Sequence, residues 1–179
     1  GTASSIATVI VKGTNDAPIA VADVPPTVSH IFTARSSGWV DTEFQVGEIS
    51  IDGDFVGGNQ RGTNVTILDE NNNLVSLNNY DTYASTTAIA SALASINGNS
   101  VVGTTIIIST SDEWTNNLNA AAKTALVDLG ADITIVNSAG YRSSYLMVTE
   151  KESGGWNVIS EQYVGSSSQN GVSTQFAFD

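Results

Sequence analysis

Residues 29–34 and 43–51 alternate apolar with polar side chains, the period of two that marks strands with one buried face. The next apolar runs, Val65–Leu68 and Leu74–Leu77, flank Asp69-Glu70-Asn71-Asn72-Asn73, which predicts a hairpin turning on those polar residues. The pattern then becomes helical. Ile89, Leu93 and Ile96 fall at i, i+4 and i+7, with Ser85 placed to cap a helix over 85–96 and Gly98 to end it. The branched run Thr-Thr-Ile-Ile-Ile-Ser-Thr at 104–110 predicts a buried strand. A second helix is expected over 117–129, with Leu118, Ala122, Ala125, Leu126 and Leu129 inward and Gly130 as its C-terminal glycine. Strands at 133–136, 144–149 and 156–163 complete the pattern.

The ends of the chain read differently. Ile-Ala-Thr-Val-Ile-Val at 6–11 has the composition of a short strand, and residues 12–20 follow as a turn and linker in which Pro18 forbids regular continuation. Residues 165–171 are Gly, Ser, Gln and Asn, after which Phe176 and Phe178 suit an edge strand or a segment packed back on the core. The expected organisation is therefore a preceding repeat end and linker at 1–26, a compact domain at 27–165, and a linker or C-terminal edge strand at 166–179. Strands before, between and after two helices predict an α+β fold, with β-sandwich-like mixed sheets flanked by two helices. No internal repeat is evident.

Charge narrows the class of ligand. Eighteen acidic residues stand against six basic ones, for a net charge of −12. Such a chain repels nucleic acid and anionic membranes, which are bound by clustered Lys and Arg; it suits divalent cations, neutral ligands or a salty medium. There is no cysteine and one histidine, His30, so disulfides, thiolate chemistry and most zinc chemistry are excluded. No apolar run is long enough for a membrane helix. The polar opening from Gly1 does not read as a signal peptide, and the chain is expected to be cut from something longer. Low Lys with abundant Ser, Thr, Asn and Gly resembles the composition of bacterial surface repeats.

In a chain so poor in cations, an arginine presented by a glycine-marked turn is the most informative residue type, because its planar fork of donors suits vicinal hydroxyls and carboxylates. Two arginines meet that description: Arg61 in Arg61-Gly62-Thr63-Asn64-Val65 and Arg142 in Gly140-Tyr141-Arg142. Between them lie Tyr80-Asp81-Thr82-Tyr83, ahead of the first helix, and Ser111-Asp112-Glu113, after the buried strand. The order and spacing of these motifs over about residues 30–164 resemble the interleukin-like EMT inducer domain, or pancreatic-derived-factor-like lectin fold, which also forms the stem of the O-mannose N-acetylglucosaminyltransferase. That resemblance implies a sugar site at Arg61, Asp112 and Arg142, the carboxylate accepting from hydroxyls while the guanidinium groups donate through charge-assisted bonds. Two departures from the family pattern are visible. Arg142 is followed by Ser143-Ser144-Tyr145 where the family has an aspartate, a small hydroxyl residue and tryptophan, so a carboxylate that would orient Arg142 is missing. Trp114 follows Asp112-Glu113 where relatives often have a small residue, and its ring is a candidate platform for a sugar, as is Tyr141.

Residues 13–18, Gly-Thr-Asn-Asp-Ala-Pro, resemble the junction that ends VCBS or cadherin-like repeats of RTX adhesins. In such junctions carboxylates help hold structural Ca²⁺, which implies Asp16 and Asp23 as metal ligands. The alternative is an ordinary Asx-turn.

Each motif also has a structural reading. Arg61 and Arg142 fit ion pairs with loop carboxylates, Asp112 included. Asp81 fits a cap for the first helix, Trp114 a buried anchor, and His30 a satisfied strand residue. Asp69–Asn73 lacks the glycine and closing glutamate of a calcium loop. Asp112 and Glu113 are adjacent and point apart, with no second carboxylate at glycosidase spacing, so no catalytic residue is expected. Together these observations predict a non-catalytic, lectin-like module of a large secreted adhesin at the cell surface. Its partners would be a glycan and neighbouring adhesin repeats. Two alternatives remain open: a Ca²⁺-stiffened spacer whose arginines are consumed in salt bridges, and a protein- or peptide-binding module whose rim around Trp114 is apolar.

Overall fold

The computed structural model describes residues 30–39, 47–85, 87–165 and 171–177. Nine strands and three helices occur among them, in an α+β arrangement. In chain order these are β1 (Ile31–Gly38), β2 (Glu48–Ile51), β3 (Asp54–Gly57), β4 (Gly62–Leu68), β5 (Leu74–Tyr80), α1 (Thr87–Asn99), β6 (Thr105–Asp112), α2 (Ala120–Asp128), α3 (Ile133–Ser138), β7 (Ser144–Glu152), β8 (Gly155–Val164) and β9 (Val172–Ala177).

Two ladders of strands share one member. β6 is central in the larger ladder: β4 and β7 flank it antiparallel, β5 lies outside β4, and β8 lies outside β7. In the smaller ladder β1 runs between β2 and β9, antiparallel to both, and β3 lies outside β2. The last two residues of β1 leave that ladder and pair in parallel with the end of β6, Ser37 opposite Ser111 and Gly38 opposite Asp112.

The period of two along the central strands explains the layering. Ile106 and Ile108 of β6, with Tyr145 and Met147 of β7, point to one side and bury against Ile89 and Leu93 of α1, Ala122 and Leu126 of α2 and Val136 of α3. Ile107, Leu146 and Val148 point the other way, against Phe32, Ala34 and Ile49 of the smaller ladder. The larger ladder is thus covered on both faces, by helices and by strands, which is why residues 105–111 carry no exposed position. Each fully buried Ile on β6 contributes roughly 1.5–3 kcal/mol of apolar transfer.

The predicted hairpin forms: Asp69 accepts from the N–H groups of Asn71 (2.9 Å) and Asn73 (2.8 Å) between β4 and β5. Ile89 and Leu93 are buried on α1 with Ile96 packed beside them. α1 begins two residues after Ser85, however, and Gly98 lies inside it. The strand expected at 133–136 is instead the helix α3, which makes three helices rather than two. Asp132 decides this locally. As N-cap its carboxylate accepts from the N–H (2.7 Å) and hydroxyl (2.7 Å) of Thr134, and that bond outweighs the β-preference of Ile-Thr-Ile-Val. Phe176 stacks on Phe32 with ring centroids 5.3 Å apart, and the segment containing it is the edge strand β9. His30 engages Asp52, Nδ1 to Oδ2 2.7 Å.

Gly62 starts β4 at φ +101°, and a Cβ there would lie 2.2 Å from the Tyr80 carbonyl oxygen and 2.7 Å from the Thr82 nitrogen. Only glycine lets the two backbones approach so closely. Gly62→Ala is therefore expected to cost about 2 kcal/mol or more, measured as a fall in the midpoint of urea unfolding.

Candidate functional site

Five separate segments converge at the end of the larger ladder where β6 finishes. The Gly38 N–H donates to Ser144 Oγ (2.7 Å) and the Thr110 N–H to Ser36 Oγ (2.9 Å), fixing the end of β1 beside β6 and β7. That anchoring delivers Trp39, 62% exposed, to the neighbourhood of Asp112. Arg61 precedes β4, Tyr83 lies in the turn after β5, and Tyr141 and Arg142 occupy the loop between α3 and β7. Together with Asp112 and Glu113 these residues line one hollow of about 250 Å³.

The two arginines are held in different ways. Arg61 makes a bidentate pair with Asp81, Nε to Oδ1 3.1 Å and Nη2 to Oδ2 2.5 Å, and its guanidinium lies 4.5 Å from the centroid of Tyr83. Arg142 has no carboxylate within ion-pair distance among the described residues. Its guanidinium instead lies 5.3 Å from the centroid of Trp39 and 4.9 Å from that of Tyr141. Its Nε–H is buried and has no hydrogen-bond partner among the described residues. Asp112 and Arg142 both have left-handed backbones, φ +61° and +59°.

Glu113 holds these two strained residues in place. Its side chain is 1% exposed, and Oε1 accepts from the Thr115 N–H (2.6 Å), the Thr115 hydroxyl (2.8 Å) and the Asn116 N–H (2.8 Å). Oε2 accepts from the Arg142 N–H. The same turn reaches the loop after β5, since the Asn116 side-chain amide donates to the Tyr83 carbonyl (3.2 Å). Asp112 is left facing the hollow. Burial raises its pKa above the ordinary carboxylate value, against the attraction of Arg142 and Arg61 and with some help from Glu113 and Asp81. Hydrogen bonding to Arg61 lowers that of Asp81.

Of the residues singled out in the sequence, Arg61, Asp112, Tyr141 and Arg142 come together around this hollow. Trp114 does not. It is 1% exposed, stacks on Tyr145 with centroids 5.0 Å apart, and its Nε1–H donates to the carbonyl (3.0 Å) and hydroxyl (3.1 Å) of Ser143. It is a core anchor and presents no face to a ligand. Ser143, which stands where the family aspartate was expected, is committed to that indole. Asp81 caps no helix: it accepts from Ala84 N–H (3.3 Å) in the turn before α1 and pairs with Arg61. Asp16 and Asp23, the expected calcium ligands, lie outside the described residues, as does the Gly13–Pro18 junction. Sequence reasoning missed Trp39 and the organising role of Glu113, and marked Tyr83 only as a member of the Tyr80–Tyr83 motif. The adjacency of Glu113 to Asp112 was visible, but not that its carboxylate turns into the loop.

The sequence model of the interleukin-like EMT inducer matches residues 61–153, just over half of the chain and inclusive of Arg61, Asp112 and Arg142. The chain belongs to that family. No curated protein matches it. In this interleukin-like EMT inducer domain Trp39 comes from outside the matched segment, carried in by the β1–β6 pairing.

The position of Trp114 has a measurable consequence. Trp114→Ala is expected to cost about 3–5 kcal/mol of stability by removing a buried aromatic, read from chemical denaturation. A loss under about 1 kcal/mol would mean that the ring is not core. Asp112 predicts a pH dependence. Its folded pKa lies above the unfolded 3.8, so the folded state holds this proton more tightly and stability falls as pH rises from 3.8 through the folded value. Asp112→Asn removes the charge, and Asn tolerates positive φ. Its melting temperature should exceed the parent's at about pH 7 and match it at about pH 3, where both side chains are neutral.

Proposed function

We propose that this domain is a non-catalytic carbohydrate-binding module whose sugar sits in the hollow between Trp39 and Arg61, held by Asp112 and Arg142. The observation that carries the reading is the state of that pair. Arg142 is positioned by two ring faces and not by a carboxylate, and Asp112 accepts no side-chain hydrogen bond among the described residues. A donor fork and an acceptor are thus both uncommitted at one opening. Sugar hydroxyls donate and accept, so they can engage both, while Trp39 and Tyr141 offer flat faces to the C–H side of a ring. Arg61, neutralised by Asp81, contributes a wall and weaker polar contacts.

The wider setting belongs to the same proposal: a secreted, cell-surface adhesin in which this module attaches to glycans, and whose linker around Asp16 and Asp23 holds structural Ca²⁺ through those carboxylates to stiffen the junction with neighbouring repeats. The acidic composition supports it. A spacer without a ligand pocket is the second reading, and the Arg61–Asp81 pair favours it. That pair consumes one arginine, however, and leaves Arg142.

A glycan array followed by titration tests the assignment. Arg142→Ala and Asp112→Asn are each expected to weaken binding about 10- to 100-fold, the range of a charge-assisted bond, and Arg61→Ala less. Wild-type binding that survives both substitutions would sink the site, and absence of any glycan binding would favour the spacer.

A further inference from the structure

A second hollow, of about 340 Å³, shares a wall with the first. Gln60 lines the second and Arg61 the first, and neighbouring Cα atoms are about 3.8 Å apart. The wall is tied by amides. The Asn79 side-chain amide donates to the carbonyls of Gln60 (3.3 Å) and Arg61 (3.1 Å) and to Asn64 Oδ1 (3.0 Å), and the Asn64 amide donates to the Gln60 carbonyl (3.3 Å).

The chemistry of the second hollow differs from that of the first. Among the described residues no charged side chain lines it, in a chain whose net charge is −12. Asn and Gln side chains each carry both donor and acceptor, as hydroxyls do. Phe55, 56% exposed, stands at the rim with an open ring face. Gly57, half-buried, leaves backbone open beside it. A side chain there is disfavoured by the backbone itself, at φ +153°, and a Cβ would also press on Leu77 Cδ1 at 2.8 Å. An ion would find no counter-charge among the described residues here, whereas a neutral polyhydroxylated ring finds the exposed amides of Asn59, Gln60 and Asn78 for its edges and an aromatic for its face.

We infer that this hollow is a subsite for a second, neutral sugar residue, so that the domain recognises an oligosaccharide lying across the Gln60–Arg61 loop and not a single terminal sugar. The inference rests on the sugar-binding reading of the Arg142 hollow. It adds Phe55 and Gln60 as residues that select for chain length.

The test is an array of neutral hexose and N-acetylhexosamine glycans printed as mono-, di- and tetrasaccharides, with the best series titrated against the full chain. Wild type should bind the longer members about tenfold or more tighter than the monosaccharide, a gain of about 1.4 kcal/mol. The Phe55→Ala/Gln60→Ala double variant replaces two exposed side chains and should abolish that gain while leaving monosaccharide affinity unchanged. Asn59→Trp, which fills the hollow, should do the same. Length-independent binding by wild type, or a gain that persists in both variants, overturns the second subsite and leaves the first intact. Binding that Arg142→Ala leaves untouched but Phe55→Ala/Gln60→Ala removes overturns the paired arrangement. Failure of every glycan to bind overturns both readings.

Discussion

The buried carboxylate of Glu113 is the interaction on which the rest of this pole depends. A charged group taken from water is costly unless its oxygens are engaged, and here both are, in four hydrogen bonds that span two loops. Those bonds determine where Asp112 and Arg142 sit. Each of these residues adopts a left-handed backbone that costs of order 1 kcal/mol for a side-chain-bearing residue, and neither would hold it unaided. Asp52 and Asn72 share that conformation in the β2–β3 and β4–β5 turns, but at this pole it falls on the two residues whose side chains remain uncommitted, the pattern expected where structure is spent on positioning.

The two arginines show how a chain with few cations distributes them. Arg61 is fixed by a matched anion and screened by it, so its contribution to the field in the hollow is small. Arg142 is fixed by ring faces, which locate a guanidinium without cancelling its charge. The difference follows from topology. Asp81 is brought to Arg61 by the close approach of backbones that Gly62 permits, whereas the position beside Arg142 is filled by Trp39 at the end of β1.

What the sequence revealed and what it hid follow from the range of the forces involved. The Asp69–Asn73 turn and the alternation along β6 and β7 are local, and both could be read directly. So could the Ile89, Leu93 and Ile96 face. The segment at 133–136 was misread because its branched residues were weighed and the capping strength of Asp132 was not. At the site, Arg61, Asp112 and Arg142 were marked by motif. Trp39 was not, because it reaches the hollow through a parallel pairing of two residues between strands distant in sequence. Trp114 stayed open between platform and buried anchor for a related reason: the hydroxyl and carbonyl that satisfy its indole belong to Ser143, twenty-nine residues on.

The antiparallel pairing of β1 with β9 carries a mechanical consequence. Ile31 lies opposite Ala177, so the two strands begin and end at one edge, while Gly38 and Trp39 lie at the other end of β1. Tension entering through residues before Ile31 and leaving through residues after Ala177 would open this pair like a zipper, loading one rung at a time, and not shear all of its rungs together. The rungs that yield first are those farthest from the Trp39 hollow. A pull on the chain would therefore shed the edge strand before it disturbed the Ser37–Ser111 and Gly38–Asp112 contacts that hold Trp39 over Arg142.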